Sequence, residues 1–255
     1  MTGAIALSGM AALRGGAGLV RLAVADCCLE TVAALEPSYM TTPVACDDRG
    51  RISLKARETI FELSKTATCL GCGPGLGQSD ELTDLVGWLY ANIPAPMVLD
   101  ADALNALAAR QSKLAKPAGP RVITPHPKEF ARLSGVSEKD RDAQIEAARQ
   151  LAAEHGIVVL LKGRHTFITD GQREALNTTG NPGMATGGAG DVLTGLVTAL
   201  ICQHLSPFDA AQLGAHLHGL AGDLAVAEIG QVSLIASDLI RYLPHAFRTL
   251  GDKPI

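Results

Sequence analysis

Apolar positions recur with two periods along the chain, and the places where the period changes outline a succession of elements. Residues 4–14 carry small apolar side chains at helical spacing and end at "RGGAG" (14–18), whose glycines close a helix. "LVRLAVA" (19–25) alternates like a strand, and "TATCLGCG" (66–73) reads as a buried strand running into a Gly-Pro-Gly turn. A helix is predicted over 79–91, then a strand in "PMVLDADAL" (96–104) that runs into acidic residues. "RVITPH" (121–126) is a further strand, followed by a helix from Lys128 and a long helix over 140–155. "IVVLLKG" (157–163) is a strand, and "HTFITDGQREALN" (165–177) reads as a hairpin turning at "DG". Helices are expected over 191–204, 207–229 and 236–247. Strands alternating with helices predict an α/β fold, a mostly parallel sheet with helices on both faces. No repeat, linker or low-complexity stretch divides the pattern, so residues 1–255 are expected to form a single domain.

Composition narrows the function classes. The 255 residues are 47% hydrophobic and 19% charged, with a net charge of −4, an ordinary globular balance. A mildly acidic chain lacks the basic surface that nucleic acid or an anionic membrane requires, so neither is an expected partner. No charge-free stretch reaches the length of a membrane span. The apolar start "MTGAIALSGMAAL" has no preceding basic residue, and Arg14 and Arg21 break the apolar character beyond it, which argues against a secretory signal. The cytoplasm is the expected compartment. Of the six cysteines, Cys69 and Cys72 form a CxxC with no second pair to complete a zinc site, and read as buried reduced thiols; adjacent Cys27 and Cys28 do not suggest a secreted disulfide framework.

The chemically loaded segments fall at one end of the predicted sheet. "GPGLG", "DADALN", "TPHPKE", "LKGRHT" and "GGAGD" each follow a strand or precede a helix, and open α/β sheets bind ligands at the carboxyl ends of their strands. There is no P-loop, and "GCGPGLG" does not fit the dinucleotide fingerprint. "NPGMATGGAGDVLTGL" (181–196) supplies another kind of phosphate cradle. Gly187, Gly188 and Gly190 expose backbone amides, and a helix from Asp191 adds the positive end of its dipole. The dipole is expected to keep Asp191 ionised; the alternative reading makes Asp191 a helix cap. Lys162 and Thr166 come after a buried strand. His126 stands between two prolines, with Glu129 at the next helix start. Asp100, Asp102 and Asn105 offer magnesium or water ligands, or else caps. His216 and His218, two residues apart in a helix, do not share a face and are not read as metal ligands.

Taken in order, "GMAALRGGAGLVRLAV", "GCGPGLG", "VLDADALNALA", "VITPHPKEFARL", "VVLLKGRHTFITDG", "NTTGNPGMATGGAGDVLTGLVTALI", "HLHGLAGDLA" and "ASDLI" resemble the ADP/ATP-dependent NAD(P)H-hydrate dehydratases, a carbohydrate-kinase-related group. The likeness runs over nearly the whole chain. It implies a ribokinase-like three-layer αβα fold and a repair reaction: the hydroxyl of hydrated NADH or NADPH is phosphorylated by ADP or ATP, and phosphate then leaves. The resemblance makes Asp191 the base on that hydroxyl. It places Lys162, Gly163, Arg164, His165 and Thr166, with Gly188, Ala189 and Gly190, around the nucleotide. Ala4, Gly75, His126 and Asp191 match positions around the hydrated dinucleotide, and Glu129 resembles a glutamate that orders Mg2+ through water. A homotetramer and a separate NAD(P)H-hydrate epimerase are implied partners.

The chain opens at a segment that the family usually precedes with a strand and a glycine-rich loop, so a sheet lacking the family's first strand, with two unpaired edges, is expected. Two other functions fit the same cradle. One is a ribokinase-like kinase of a thiazole or pyrimidine alcohol, against which "TPHPKE" argues. The other is a non-catalytic nucleotide-binding protein.

Overall fold

The computed structural model describes residues 1–110 and 114–251; the single-domain expectation also spans 111–113 and 252–255, which lie outside the described residues. The chain opens with α1 (Thr2–Arg14), β1 (Arg21–Ala25), α2 (Leu29–Ala33), β2 (Met40–Val44) and α3 (Arg57–Ser64). Next come β3 (Leu70–Cys72), α4 (Asp80–Asn92), β4 (Met97–Leu99), α5 (Asp102–Ala109), β5 (Arg121–Ile123), α6 (Pro127–Ser134) and α7 (Arg141–His155). The hairpin region supplies β6 (Val158–Leu161), β7 (Phe167–Thr169) and β8 (Glu174–Leu176), and α8 (Ala189–Cys202), α9 (Pro207–Ile229) and α10 (Ala236–Arg248) complete the described fold.

Strands β3 to β8 form a six-stranded sheet in chain order, with β3–β6 parallel and β7 and β8 antiparallel. Alternate side chains of these buried strands feed two cores. Val98, Val122, Val158 and Leu160 pack with α8, α9 and α10, whereas Met97, Leu99, Ile123, Val159 and Leu161 pack with α4, α5 and α7. Period two on a sheet covered on both faces yields the three-layer sandwich expected. Strands β1 and β2 pair with each other in parallel as a separate two-stranded sheet, with its own small core of Leu22, Val24, Val32 and Tyr39. Among the described residues the β layer is therefore divided, and β1 and β3 are not hydrogen-bonded neighbours.

One local difference from the pattern-based reading, and one strand that it did not include, stand out. Residues 96–104 are not one strand: β4 stops at Leu99 and α5 begins at Asp102. Ala101 makes the turn with φ +51° and ψ −118°, a conformation that side chains disfavour. Strand β2 contains Pro43, which removes a backbone donor and marks an edge position. Both CxxC sulfurs are free thiols, and burial pushes the Cys72 thiol up to about 12, so it stays protonated and inert. Among the described residues, no helix is long and apolar enough to cross a membrane.

Candidate functional site

The carboxyl ends of β3, β4, β5 and β6 meet the N-terminus of α8, and this meeting assembles the candidate site. Gly188 caps α8 at φ +92°, and a Cβ there would press on Leu7 at 2.7 Å and Ala236 at 2.9 Å. Only glycine turns the chain into the helix at that point. The carbonyl of Ala189 meets Nε2 of His218 on α9 at 2.9 Å. Burial pushes His218 down to about 4, so the ring is neutral and Nε2–H donates to that carbonyl. Asp223, also on α9, accepts from Gly180 N (2.8 Å) and Asn181 Nδ2 (2.9 Å). Ser8 of α1 donates to the carbonyl of Asp191 at 2.6 Å. The glycine loop and first turn of α8 are thus tied to two neighbouring helices.

Asp191 lies in this first turn. Burial, reinforced by the negative charge of Asp100, raises its carboxyl to about 6, while Lys162 pulls the other way. Desolvation therefore outweighs the helix dipole that the sequence suggested would hold it low. A carboxylate with a pKa near 6 is still mostly ionised at neutral pH and is a far better proton acceptor than one near 4.

Beside it runs a chain of buried polar contacts. Asp100, 1% exposed, follows β4 and accepts from Lys162 Nζ at 2.7 Å and from Thr194 Oγ1 at 3.0 Å. Lys162 follows β6 and also stands 3.9 Å from Glu129 Oε2. A Cβ on Gly190 would lie 3.2 Å from both Asp100 Oδ2 and Lys162 Nζ. The absence of a side chain at Gly190 lets the helix start approach this pair. The side chain of Lys162 thus turns inward into the carboxylate cluster and away from the loop after it.

His126 and Glu129 open α6 as a reciprocal capping box. Nδ1 of His126 accepts from Lys128 N (3.1 Å) and Glu129 N (3.2 Å), while Glu129 Oε2 accepts from His126 N at 2.8 Å. With Nδ1 occupied as an acceptor, the ring proton resides on Nε2, 3.4 Å from Glu129 Oε1. Burial lowers the His126 pKa against the pull of Glu129. His126 therefore combines a turn role with a position at the edge of the site.

Gly163, Arg164 and His165 form an exposed turn between β6 and β7. Arg141 holds it from α7, donating to the carbonyls of Leu161 (3.1 Å), Lys162 (3.2 Å) and His165 (2.9 Å). Thr166 closes the turn onto Gly163 O at 3.3 Å. On the other side, Met1 N donates to Gly75 O at 2.6 Å, and Gly75, at φ +68°, lies against Ala4. Asp102 accepts from Gly77 N at 2.8 Å and so joins the glycine turn after β3 to the start of α5.

The expected residues thus divide into an inner group, a glycine-led helix start, an exposed nucleotide-side turn and an N-terminal corner at Ala4 and Gly75. Thr194, His218, Asp223, Arg141 and the backbone at Ala101 were not foreseen. The signal for Asp223 and His218 is a polar side chain in the apolar helix "HLHGLAGDLA"; Ala101 carries none. The buried carboxylates of Asp100 and Glu129 both face the one ammonium of Lys162, with the carboxyl of Asp191 close enough to feel the charge of Asp100. This oxygen-only donor set, with surplus negative charge, fits hydrated Mg2+.

The family profile described as NAD(P)H-hydrate dehydratase matches residues 1–245. The chain is 43% identical over 256 residues to the bifunctional NAD(P)H-hydrate repair enzyme Nnr of Moorella thermoacetica, covering 99% of this chain and 48% of that protein. It is 38% identical to the enzyme of the same name from Escherichia coli, over 94% of this chain and 44% of that one. The chain spans about half the length of these relatives. Its fold superposes with a TM-score of 0.81 on the ADP/ATP-dependent NAD(P)H-hydrate dehydratase of Bacillus subtilis co-crystallised with ATP/Mg2+, at 28% identity over 98% of this chain and 86% of that one. Hydroxyethylthiazole kinase from Pyrococcus horikoshii shares the fold alone, at TM-score 0.61 and 16% identity over 98% of this chain and 97% of that one.

Proposed function

The chain belongs to the NAD(P)H-hydrate dehydratase family, and from that premise we propose that it restores NADH and NADPH from their hydrated forms at the expense of ADP or ATP. The observation that carries the reading is Asp191, a half-buried carboxylate with its pKa raised to about 6, in the mouth of the glycine-led helix start. Asp191 takes the proton from the ring hydroxyl as its oxygen attacks the terminal phosphorus of the nucleotide. The amides of Gly188, Ala189 and Gly190 and the α8 dipole bear the charge of the moving phosphoryl group. The phosphate ester then leaves as inorganic phosphate, a proton departs from the neighbouring ring carbon, and the dihydropyridine is restored.

The turn Gly163–Thr166, held by Arg141, faces the nucleotide. Ala4, Gly75 and His126 face the hydrated dinucleotide. Glu129 and Asp100 would hold Mg2+ through its waters, and the ion would offset charge on the nucleotide phosphates. Lys162 serves in this reading as a positioning residue that holds the Asp100 side chain beside Asp191. The resemblance suggests a homotetramer that works with an NAD(P)H-hydrate epimerase, a pairing that the relatives' printed description as bifunctional repair enzymes fits, and the cytoplasm is the compartment expected from the sequence.

The test is the near-ultraviolet absorbance of reduced nicotinamide, monitored on hydrated NADH with Mg2+ and either ADP or ATP. A rise that requires the nucleotide is the expected result, and the better donor names itself. A stable phosphorylated thiazole or pyrimidine alcohol, with no rise, would select the kinase reading instead. The base role also sets a pH profile. Because Asp191 must be ionised to accept a proton, kcat/KM should fall about tenfold per pH unit below about 6 and level off above it. A profile flat from pH 5 to 8 (roughly one unit or more either side of that pKa) would remove Asp191 from the rate-limiting proton transfer.

A further inference from the structure

A second cluster of ligating side chains, built from residues other than those carboxylates, forms where β1 and β2 end. These strands are parallel, with Ala25 opposite Val44, so the segments beyond them leave the sheet side by side. One continues as the short turn Asp26–Cys28, and the other reaches Cys46, which bridges to Ile52. Cys46 Sγ lies 3.7 Å from Cys27 Sγ and 2.8 Å from Asp26 Oδ1. The ligating atoms of Asp26, Cys27 and Cys46 all fall within 4.8 Å of one another. Cys28 Sγ is 3.8 Å from that of Cys27.

The loop after Cys46 is built to stay close. Asp47 Oδ1 accepts from the amides of Arg49 and Arg51, both at 2.9 Å. Gly50, at φ +72°, brings its backbone against the sulfur of Cys27, where a Cβ would stand only 3.1 Å away. Asp26 is oriented in turn by Cys27 N, which donates to its Oδ1 at 2.7 Å.

We propose that Asp26, Cys27 and Cys46 bind a borderline-soft divalent cation of the zinc class, with Cys28 the nearest further donor. The spacing carries the assignment. Two sulfurs bound at about 2.3 Å to one tetrahedral ion sit about 3.8 Å apart, the edge of the tetrahedron. The sulfurs of Cys27 and Cys46 already hold that separation, whereas a disulfide requires about 2.05 Å. The carboxylate supports the same choice: it has no part in a disulfide, but accepts the Cys46 thiol proton that a metal would displace. Donor chemistry keeps the two centres distinct, because thiolates select zinc-like ions and the oxygen-only cluster at Asp100 and Glu129 suits Mg2+. A bound ion would clamp the ends of the two-stranded sheet, which has the smallest of the three cores, to the loop after β2.

The site is testable with the whole chain, stripped of metal by a chelator, kept reduced by a phosphine and titrated with Co2+. A thiolate-to-cobalt charge-transfer band with the visible bands of a tetrahedral ion is expected, saturating near one ion per chain and bleached by Zn2+. Cys27→Ser and Cys46→Ser should each abolish it, whereas Cys69→Ser should not. A readout on the unmodified chain guards against folding defects in the variants: Zn2+ should protect Cys27 and Cys46 from alkylation, mapped by peptide mass. Absence of the band in the reduced protein, a band unaltered by Cys46→Ser, or alkylation indifferent to Zn2+ would each overturn the site. The same holds if the pair proves to be a disulfide whose reduced form takes up no cobalt.

Discussion

Asp191→Asn is expected to reduce nucleotide-dependent repair of hydrated NADH by about 10²- to 10⁴-fold, the range that a positioned general base contributes. Binding of ATP, measured by calorimetry, should change little, since the amides of the α8 start remain. The amide is nearly the shape of the carboxylate but cannot take the proton, so the loss belongs to kcat. Stability separates this outcome from simple misfolding. The folded-state pKa of Asp191 lies above its ordinary value, so between pH about 4 and 6 the folded chain binds more protons than the unfolded one. The contribution of Asp191 to stability therefore declines as pH rises through that window, and at neutral pH its buried charge is a net cost. Asp191→Asn removes the cost, and its melting temperature at pH 7 should equal or exceed that of the parent. Retained turnover would end the base assignment, and a lowered melting temperature would end the account of its buried charge.

That contrast also shows where the sequence stops being informative. Helix α9 could be read to the residue because Ser206 and Pro207 start it, apolar side chains recur along it, and Gly230 ends it. Asp191 could be placed at a helix start for the same local reasons. Its ionisation could not, because the dipole is a local property, whereas burial and the opposing charges of Asp100 and Lys162 depend on the tertiary fold. The pairing of Lys162 with Asp100 joins residues 62 positions apart, and that of Thr194 with Asp100 joins residues 94 apart. Such contacts arise from sheet register, which no spacing rule supplies. The turn at Ala101 was hidden for a different reason. A non-glycine residue at φ +51° costs of order 1–3 kcal/mol and is held there by its surroundings, and here it separates Asp100 from Asp102 at the edge of the site. The thiol cluster likewise needed the parallel pairing of β1 and β2 before Cys46 could be seen beside Cys27.

The second large effect concerns Lys162. Asp100 is almost fully buried, and the ammonium 2.7 Å away is the cation that offsets it. Removing one partner of a buried pair leaves an uncompensated charge and typically costs about 3 kcal/mol or more. Lys162→Met keeps the length of the side chain without its charge and should lower the melting temperature by roughly 6 to 12 °C. Adding Asp100→Asn should recover much of that loss, since the amide still accepts from Thr194 and carries no charge to strand. Neither variant should regain turnover. A second readout distinguishes this electrostatic role from mere packing. Lys162 is a group that holds down the pKa of Asp191, while Asp100 holds it up. Lys162→Met should therefore shift the acid limb of any residual kcat/KM profile to higher pH, and the double variant should shift it back. If Lys162→Met melts like the parent, or leaves the limb in place, the lysine does not govern the charge of the site, and the inward ion pair is incidental to catalysis.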